Sequence, residues 1–210
     1  MDANIAAKVI DAALQKGTSF VDLYEEETRN AVVSLKEKKI ENATAGIEYG
    51  IGLRLLFGTE VVYGFTGNGN EESLMRLLHA LFMARGKTTS SVEMPFKMSL
   101  PTITHAPRMQ EVHILPSEKG QAAKLTYLQY ADQLAYRFSP HIQQVAVSMA
   151  DSTKKICIIN SEGLFVEDER TRARFSVSVT AANTEGERFV ASESPGALSG
   201  FEFFENLDIE

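Results

Sequence analysis

The sequence has a single cysteine, four histidines and fewer basic than acidic residues, and each shortage excludes a class of protein. With 21 Lys and Arg against 28 Asp and Glu, the formal net charge is -7, which argues against the basic surface that unassisted nucleic-acid binding needs. The lone cysteine leaves no disulfide, and no apolar run approaches the roughly 18 residues of a membrane-spanning helix. No signal peptide is present, so the sequence predicts a cytoplasmic protein that does not bind membranes.

Recognisable catalytic motifs are missing as well. The histidines fall in different predicted elements and form no H-E-x-x-H pair, so their spacing predicts no zinc site. They are His79, His105, His113 and His141. There is no G-x-S-x-G sequence, and Glu71 and Glu72 would repel a phosphate from the helix that follows Gly67–Asn70. Cys157 lies in an apolar run and is predicted to be a buried strand residue rather than a nucleophile.

The patterns that are present predict an α+β fold. The chain is 44% hydrophobic, which suits a globular domain with a sizeable core. We expect antiparallel β-meander sheets with a few packed helices, in the order helix, meander, helix, long loop, helix and antiparallel strands. Asp2 is expected to cap a first helix that ends near Lys16, and a leucine stripe over Glu71–Arg85 predicts a second helix that Gly86 ends.

Several turns and boundaries are also predicted. Polar residues indicate turns at Arg29-Asn30, at Lys36–Lys39 and at Asp151–Thr153. Four prolines indicate that Lys87–Pro116 is a long surface connection, in which only Glu111–Ile114 resembles a strand. Ser117 is expected to cap a long helix that ends near Phe138.

The segment from Ala45 to Asn70 predicts the most informative hairpin. Apolar residues alternate along Ile51–Phe57 and again at Val61, Tyr63 and Phe65, which indicates two strands with one buried face each. The strands join at Gly58-Thr59-Glu60. If Phe57 pairs with Val61, then Arg54 faces Gly64 and Gly52 faces Thr66.

Gly50, Gly52 and Arg54 are the candidate substrate-binding residues. A strand face without side chains allows another backbone or a ligand to approach, and a guanidinium beside it can grip a carboxylate or a carbonyl. The alternative is a twisted hairpin whose glycines only allow a helix to pack. A second charged feature, Arg170, Arg172 and Arg174 on one strand face, indicates either a solvated surface or an anion site.

The last residues suggest a boundary. We predict an N-terminal α+β domain over 1–193, followed by a flexible linker and an aromatic element over 194–210. The phenylalanines of that element would be exposed unless a further domain covered them.

Three of these stretches resemble the N-terminal half of the TldD/PmbA family, also called the modulator-of-DNA-gyrase family. The first is Gly50-Ile-Gly-Leu-Arg54 with Gly58-Thr-Glu and Gly64-Phe65. The second is Phe175-Ser-Val-Ser-Val179 after the turn at Glu162-Gly163, and the third is Gly200-Phe201-Glu202. The match runs in order over nearly the whole chain, and the hairpin and the tail are more similar to the metal-bearing TldD type than to the PmbA/TldE type.

The resemblance implies a role in proteolysis. TldD-type members are zinc metallopeptidases that cleave unfolded peptides inside a dimeric shell, and their H-E-x-x-x-H motif lies in a C-terminal half that this sequence lacks. The resemblance therefore assigns no catalytic or metal residue here, and the chain alone is expected to be inactive. Its implied partners are a C-terminal peptidase domain, a homo- or hetero-dimer partner of the same family and an unfolded peptide. The alternatives are a stand-alone peptide-binding module and a metal-free PmbA/TldE-type companion subunit.

Overall fold

A computed structural model describes residues 1–86 and 111–209, together with the backbone of residues 104–105. Within these ranges the chain forms helices and strands that alternate in the predicted way. In chain order they are α1 (Ala3–Leu14), β1 (Phe20–Lys36), β2 (Lys39–Phe57), β3 (Glu60–Thr66), α2 (Glu71–Arg85), β4 (Thr104–His105), a 3₁₀ turn (Pro116–Glu118), α3 (Gln121–Phe138), β5 (Ile142–Asn160), β6 (Phe165–Ala182), β7 (Arg188–Glu193), β8 (Gly196–Ala197) and α4 (Glu202–Glu205). Most of the predicted connection Lys87–Pro116 lies outside the described residues.

The strands form one sheet in the order β3-β2-β1-β5-β6-β4, with β7 and β8 also paired to β6. The pairs β2–β3, β6–β7 and β6–β8 are antiparallel, and the short β4 is parallel to β6. This architecture confirms the predicted α+β class. None of the helices in residues 1–86 and 111–209 is long and apolar enough to cross a membrane.

The contacts divide the chain into two compact units, which we describe separately. Unit 1 comprises the described residues of Met1–Glu27, Glu48–Arg108 and Lys155–Glu169, and unit 2 those of Thr28–Ile47, Met109–Lys154 and Arg170–Glu210. Each unit has its own core of buried apolar side chains. The predicted boundary between 193 and 194 stays a prediction.

In unit 1, local signals fix the two helices. The Asp2 carboxylate accepts hydrogen bonds from the backbone N–H groups of Asn4 and Ile5, as an N-cap should. Asn70 caps α2 in the same way, and Gly86 ends it in the left-handed conformation with φ of 68°. Both helices bury apolar side chains in the core of unit 1.

The hairpin of unit 1 differs from the prediction by one residue. Phe57 pairs with Glu60 rather than with Val61, because Gly58 at φ of 65° allows a two-residue turn. A one-residue shift reverses the faces of β3, so the expected burial of Val61, Tyr63 and Phe65 is wrong and all three are exposed. Gly64 faces the core instead, where Leu77 and Leu81 of α2 pack against it.

In unit 2, the long strands β1 and β5 continue through two of the predicted turns. Arg29-Asn30 lies within β1, and Asp151–Thr153 lies within β5. The polar residues that suggested a turn in β5 are buried with partners: Asp151 forms an ion pair with Lys124 of α3, and the Thr153 and Thr171 hydroxyls are 3.2 Å apart. Polar side chains whose hydrogen-bonding or charged groups have partners can lie in the middle of a strand.

The remaining segments of unit 2 correct three further expectations. Gly120, not Ser117, is the N-cap of α3, and Glu111–Ile114 forms no strand. The phenylalanines Phe201 and Phe204 are buried in the core of unit 2 rather than exposed. The segment expected to be a flexible linker contains β8, which pairs with β6.

Candidate functional site

The candidate residues Gly50 and Gly52 lie on β2, on the face opposite the buried Ile51, Leu53 and Leu55. The register places Gly52 beside Phe65 rather than beside Thr66. The ring of Tyr63 covers Gly52 so closely that a β-carbon there would lie 2.8 Å from the Tyr63 hydroxyl. Gly50 is less crowded, since its β-carbon would meet only the carbonyl of Thr66, at 3.7 Å. The strand face around Gly50 and Gly52 is therefore partly covered by the side chain of Tyr63.

Arg54 pairs with Tyr63 across the hairpin and extends toward β1. Its Nε donates to Asp22 Oδ1 at 3.1 Å, and its terminal nitrogen contacts Asp22 Oδ2 as well. The hydrogen bond and charge of Asp22 raise the pKa of Arg54 above its usual value. The guanidinium is half exposed, but its charge is balanced by a two-point contact with a carboxylate.

This face has two properties that suit an extended peptide. Asp22 balances the charge of Arg54, and the face carries the exposed aromatic rings of Tyr63 and Phe65. Aromatic rings offer large contact areas to apolar side chains. A carboxylate ligand would have to displace Asp22 to reach Arg54, whereas a peptide carbonyl can share the guanidinium's remaining donors.

Sequence reasoning missed a cavity of about 770 Å³ in unit 1. Carboxylates from β1 and β6 line it. The lining residues include Glu25, Glu27, Tyr49, Lys155, Cys157, Glu167, Asp168 and Glu169. Five carboxylates face two positive groups there, Lys155 and the N-terminal ammonium of Met1, which forms an ion pair with Glu25, so the cavity keeps an excess of negative charge. Only the pairing of distant strands brings these groups together, so no local pattern could have revealed them.

Two of the residues that line this cavity have pKa values that are raised by their surroundings. The Tyr49 hydroxyl donates to Glu25 Oε1 at 2.7 Å, and burial together with this carboxylate raises the pKa of Tyr49. Gly69 leaves room for that hydroxyl, which would lie 2.6 Å from a β-carbon at this position. Burial raises the pKa of the Cys157 thiol to about 11, so the thiol is protonated at neutral pH and is a poor nucleophile.

The other sequence candidates do not form a site. Arg170, Arg172 and Arg174 are exposed, and Arg174 donates to the hydroxyl of Ser194 at 2.7 Å. His79, His113 and His141 are exposed, and the side chain of His105 lies outside the described residues. Across residues 1–86 and 111–209, no three His, Cys, Asp or Glu side chains are grouped in a way that fits a metal ion. The described residues therefore do not fit a zinc site.

Two family models match the chain. The model of the PmbA/TldA metallopeptidase domain 1 matches residues 21–84, and that of the PmbA/TldA metallopeptidase central domain matches residues 114–210. The family resemblance was based partly on stretches in the hairpin and in the second half of the chain. Both stretches lie inside these matches.

Solved structures show the same fold. A proposed modulator of DNA gyrase from Bacteroides thetaiotaomicron is 17% identical, with a TM-score of 0.73 over 95% of this chain and 46% of its own. A similar protein from Thermotoga maritima is 16% identical, with a TM-score of 0.75 over 100% of this chain and 45% of its own. TldE from Thermococcus kodakarensis is 14% identical, with a TM-score of 0.76 over 98% of this chain and 44% of its own. This chain thus spans less than half the length of each structure, and by its two family matches it belongs to the PmbA/TldD metallopeptidase family.

Proposed function

We propose that this chain is the non-catalytic N-terminal part of a TldD-like zinc metallopeptidase. In this role it helps to wall the chamber in which unfolded peptides are cleaved, and it holds extended peptides on the face around Gly50, Gly52 and Arg54. The zinc site belongs, in this proposal, to a C-terminal peptidase domain that is not in this sequence. The chain by itself then binds peptides without cleaving them.

The observation that carries this proposal is the pair of family matches. They correspond to the first and central domains of a metallopeptidase, and the chain spans less than half of each similar structure. The geometry of the face adds support, because exposed aromatic rings beside a charge-balanced guanidinium suit binding that ignores most of a peptide's sequence.

The first test is zinc content together with cleavage of an unfolded peptide. We expect the 210-residue chain alone to bind no stoichiometric zinc and to cleave nothing. Mixing it with the C-terminal half of a TldD-type protein should produce cleavage. Stoichiometric zinc in the chain alone, or cleavage by it, would contradict the proposal.

The second test measures peptide binding at the proposed face by fluorescence anisotropy with a labelled unfolded peptide. Arg54→Ala removes the guanidinium, and Gly52→Val forces the Tyr63 ring out of its place, so both should weaken binding at least about tenfold, which corresponds to about 1.4 kcal/mol. Arg76→Ala is the matched control, since Arg76 forms an exposed ion pair with Glu72 on α2. Equal affinities for all three variants would remove Gly52 and Arg54 from the site.

Two alternatives are favoured by particular observations. The burial of Phe201 and Phe204 within unit 2 favours a stand-alone binding module, because the aromatic segment needs no other domain to cover it. The similarity to TldE favours a metal-free companion subunit. Activity that appears only after mixing with an intact TldD-type protein, and not with its C-terminal half, would support the companion role.

A further inference from the structure

A second cavity, of about 560 Å³, lies in unit 2. Its volume falls within the roughly 300–1,000 Å³ that is typical of small-molecule sites. Its walls come from β1, β5, β6 and β8 and from the residue that follows β8. The three arginines of β6 form no site by themselves, but Arg172 and Arg174 both line this cavity.

Two guanidinium groups with unused donors are the first property of this cavity. Arg172 and Arg174 are two residues apart on β6, so they lie on one face of the strand with their Cα atoms about 6.7 Å apart. Arg172 forms no hydrogen bond or ion pair with any residue that the structure describes. Arg174 donates from Nε to the hydroxyl of Ser194 at 2.7 Å, and its two terminal nitrogens have no partner in residues 1–86 and 111–209. The Ser194 hydroxyl is also 2.6 Å from that of Ser176, which fixes the position of the Arg174 guanidinium.

The other polar groups leave this positive charge uncompensated. Asp151 lines the cavity as well, but its carboxylate forms the buried ion pair with Lys124. The side chains of Asn30 and Ser152 also line it, have no hydrogen-bond partner among the described residues and can donate to a ligand. In a chain with a net charge of -7, the cavity is therefore a local concentration of positive charge.

Apolar side chains and a fixed wall complete the cavity. The register of β6 and β8 places Ala197 opposite Ala173, and the Phe175 N–H donates to the Pro195 carbonyl at 2.9 Å. This backbone pairing fixes the wall formed by β8 relative to the two arginines. The apolar side chains that line the cavity include Val32, Ala150, Ala197 and Leu198.

We propose that this cavity binds a small organic acid that carries one carboxylate on an apolar body. The guanidinium forks of Arg172 and Arg174 match the two oxygens of a carboxylate and form charge-assisted hydrogen bonds with it. The apolar side chains contact the rest of the ligand. Inorganic phosphate has no apolar part, and none of the described lining residues belongs to a helix N-terminus, which is a common phosphate site.

Two kinds of molecule present this chemistry: the C-terminus of a short peptide and a free fatty acid. The cavity goes beyond the candidate peptide face of unit 1, because it uses none of Gly50, Gly52 and Arg54. Loss of binding at one of these places therefore leaves binding at the other unchanged.

Isothermal titration calorimetry of the 210-residue chain separates the two sources. Acetyl-leucyl-leucine represents the peptide C-terminus and octanoate the fatty acid, and the carboxamide of each probe is its matched control. At least one of the two acids should bind with a dissociation constant of roughly 50 µM to 1 mM, at least about tenfold more tightly than its amide. The acid that binds identifies the source. Equal binding of acids and amides, no binding of either acid, or inorganic phosphate that binds as tightly as the better acid would overturn the proposal.

Substitutions on β6 test the residues. Arg172→Gln and Arg174→Gln should each weaken binding of the better acid at least about tenfold, because each removes charge-assisted hydrogen bonds. Arg172→Lys keeps the charge but loses the planar fork, so it should not restore full affinity. Arg170→Gln is the matched control, since Arg170 is exposed on the same strand and does not line the cavity. Arg54→Ala should keep the preference for the acid over its amide, which distinguishes this cavity from the peptide face. Equal affinities for the glutamine variants of Arg170, Arg172 and Arg174 would overturn the assignment.

Discussion

Leu77 of α2 packs directly against the backbone of Gly64 on β3, where a β-carbon would lie 2.9 Å from the leucine Cδ1. A second side chain, Leu81, would lie 3.1 Å from the same β-carbon. The absence of a side chain at Gly64 therefore lets the helix approach this strand. It also fixes which face of β3 is buried.

The substitution Gly64→Ala should destabilise the chain by about 1–3 kcal/mol, because the added methyl forces Leu77 and Leu81 apart in a packed core. Urea denaturation at pH 7 measures this loss. Gly50→Ala is the matched control, since its β-carbon makes only an ordinary contact at 3.7 Å. Equal stability of the two variants would show that α2 does not depend on Gly64.

The buried ion pair of unit 2 gives a second prediction. Lys124 and Asp151 have side chains that are 3% and 7% exposed. Lys124→Met leaves the carboxylate buried without its partner and should cost about 3–5 kcal/mol, whereas Lys124→Met with Asp151→Leu should recover most of the loss. Lys8→Met, which breaks the exposed pair with Glu71, should cost at most about 1 kcal/mol.

The loss in Lys124→Met should also depend on pH. Burial raises the pKa of Asp151, and the hydrogen bond and charge of Lys124 oppose that rise. Without the lysine, the carboxyl in the folded state has a pKa further above that in the unfolded state, so folding takes up a proton. The deficit of Lys124→Met should therefore shrink as the pH falls from 8 to about 4.5. Urea titrations of the unsubstituted chain and of Lys124→Met across this pH range measure the loss of stability. A loss that does not change with pH would contradict its attribution to the buried Asp151 carboxyl.

Glu202 gives a third prediction, in which the pKa of the carboxyl is lowered rather than raised by folding. Burial acts to raise the pKa of this carboxyl, but hydrogen bonds from backbone N–H groups, including those of Gly200 and Ile114, and from Ser199 lower it to about 2. The contribution to stability is complete above the unfolded value of 4.5 and disappears as the pH falls toward 2.

Glu202→Gln should accordingly cost about 2 kcal/mol at pH 7, the range for hydrogen bonds to a charged acceptor. The difference from the unsubstituted chain should narrow progressively below about pH 4.5. Glu205→Gln is the control, because Glu205 forms only a partly exposed pair with Lys119. A difference for Glu202→Gln that does not change between pH 7 and pH 3 would disprove the role of the ionised carboxylate.

The buried thiol gives a fourth prediction. With its pKa raised to about 11, Cys157 should not react with a thiol reagent at pH 8 in the folded chain and should react at once in urea. Met83→Cys provides an exposed reference thiol on α2, which should react in the folded chain. Rapid labelling of Cys157 itself in the folded chain would contradict the burial of its thiol.

Some features could be predicted from the sequence because they depend on neighbouring residues. The caps of α2 follow from Asn70 and Gly86, whose side-chain and backbone preferences act within one turn. The α+β class follows from the periods of the apolar residues. The hairpin and second-half stretches that carried the family resemblance are also contiguous, and the family matches cover them.

Other features were decided only by contacts between distant residues. A shift of one residue in the turn at Gly58 exposes Tyr63 and turns Gly64 toward the core, and the packing of α2 determines which register is stable. Asp151 suggests a turn until α3 supplies Lys124, and Phe201 appears exposed until the core of unit 2 covers it. The sequence alone determined where α1 and α2 begin, where α2 ends, and which family the chain resembles. The tertiary structure decided which strand faces are buried, because burial depends on packing partners far away in the chain.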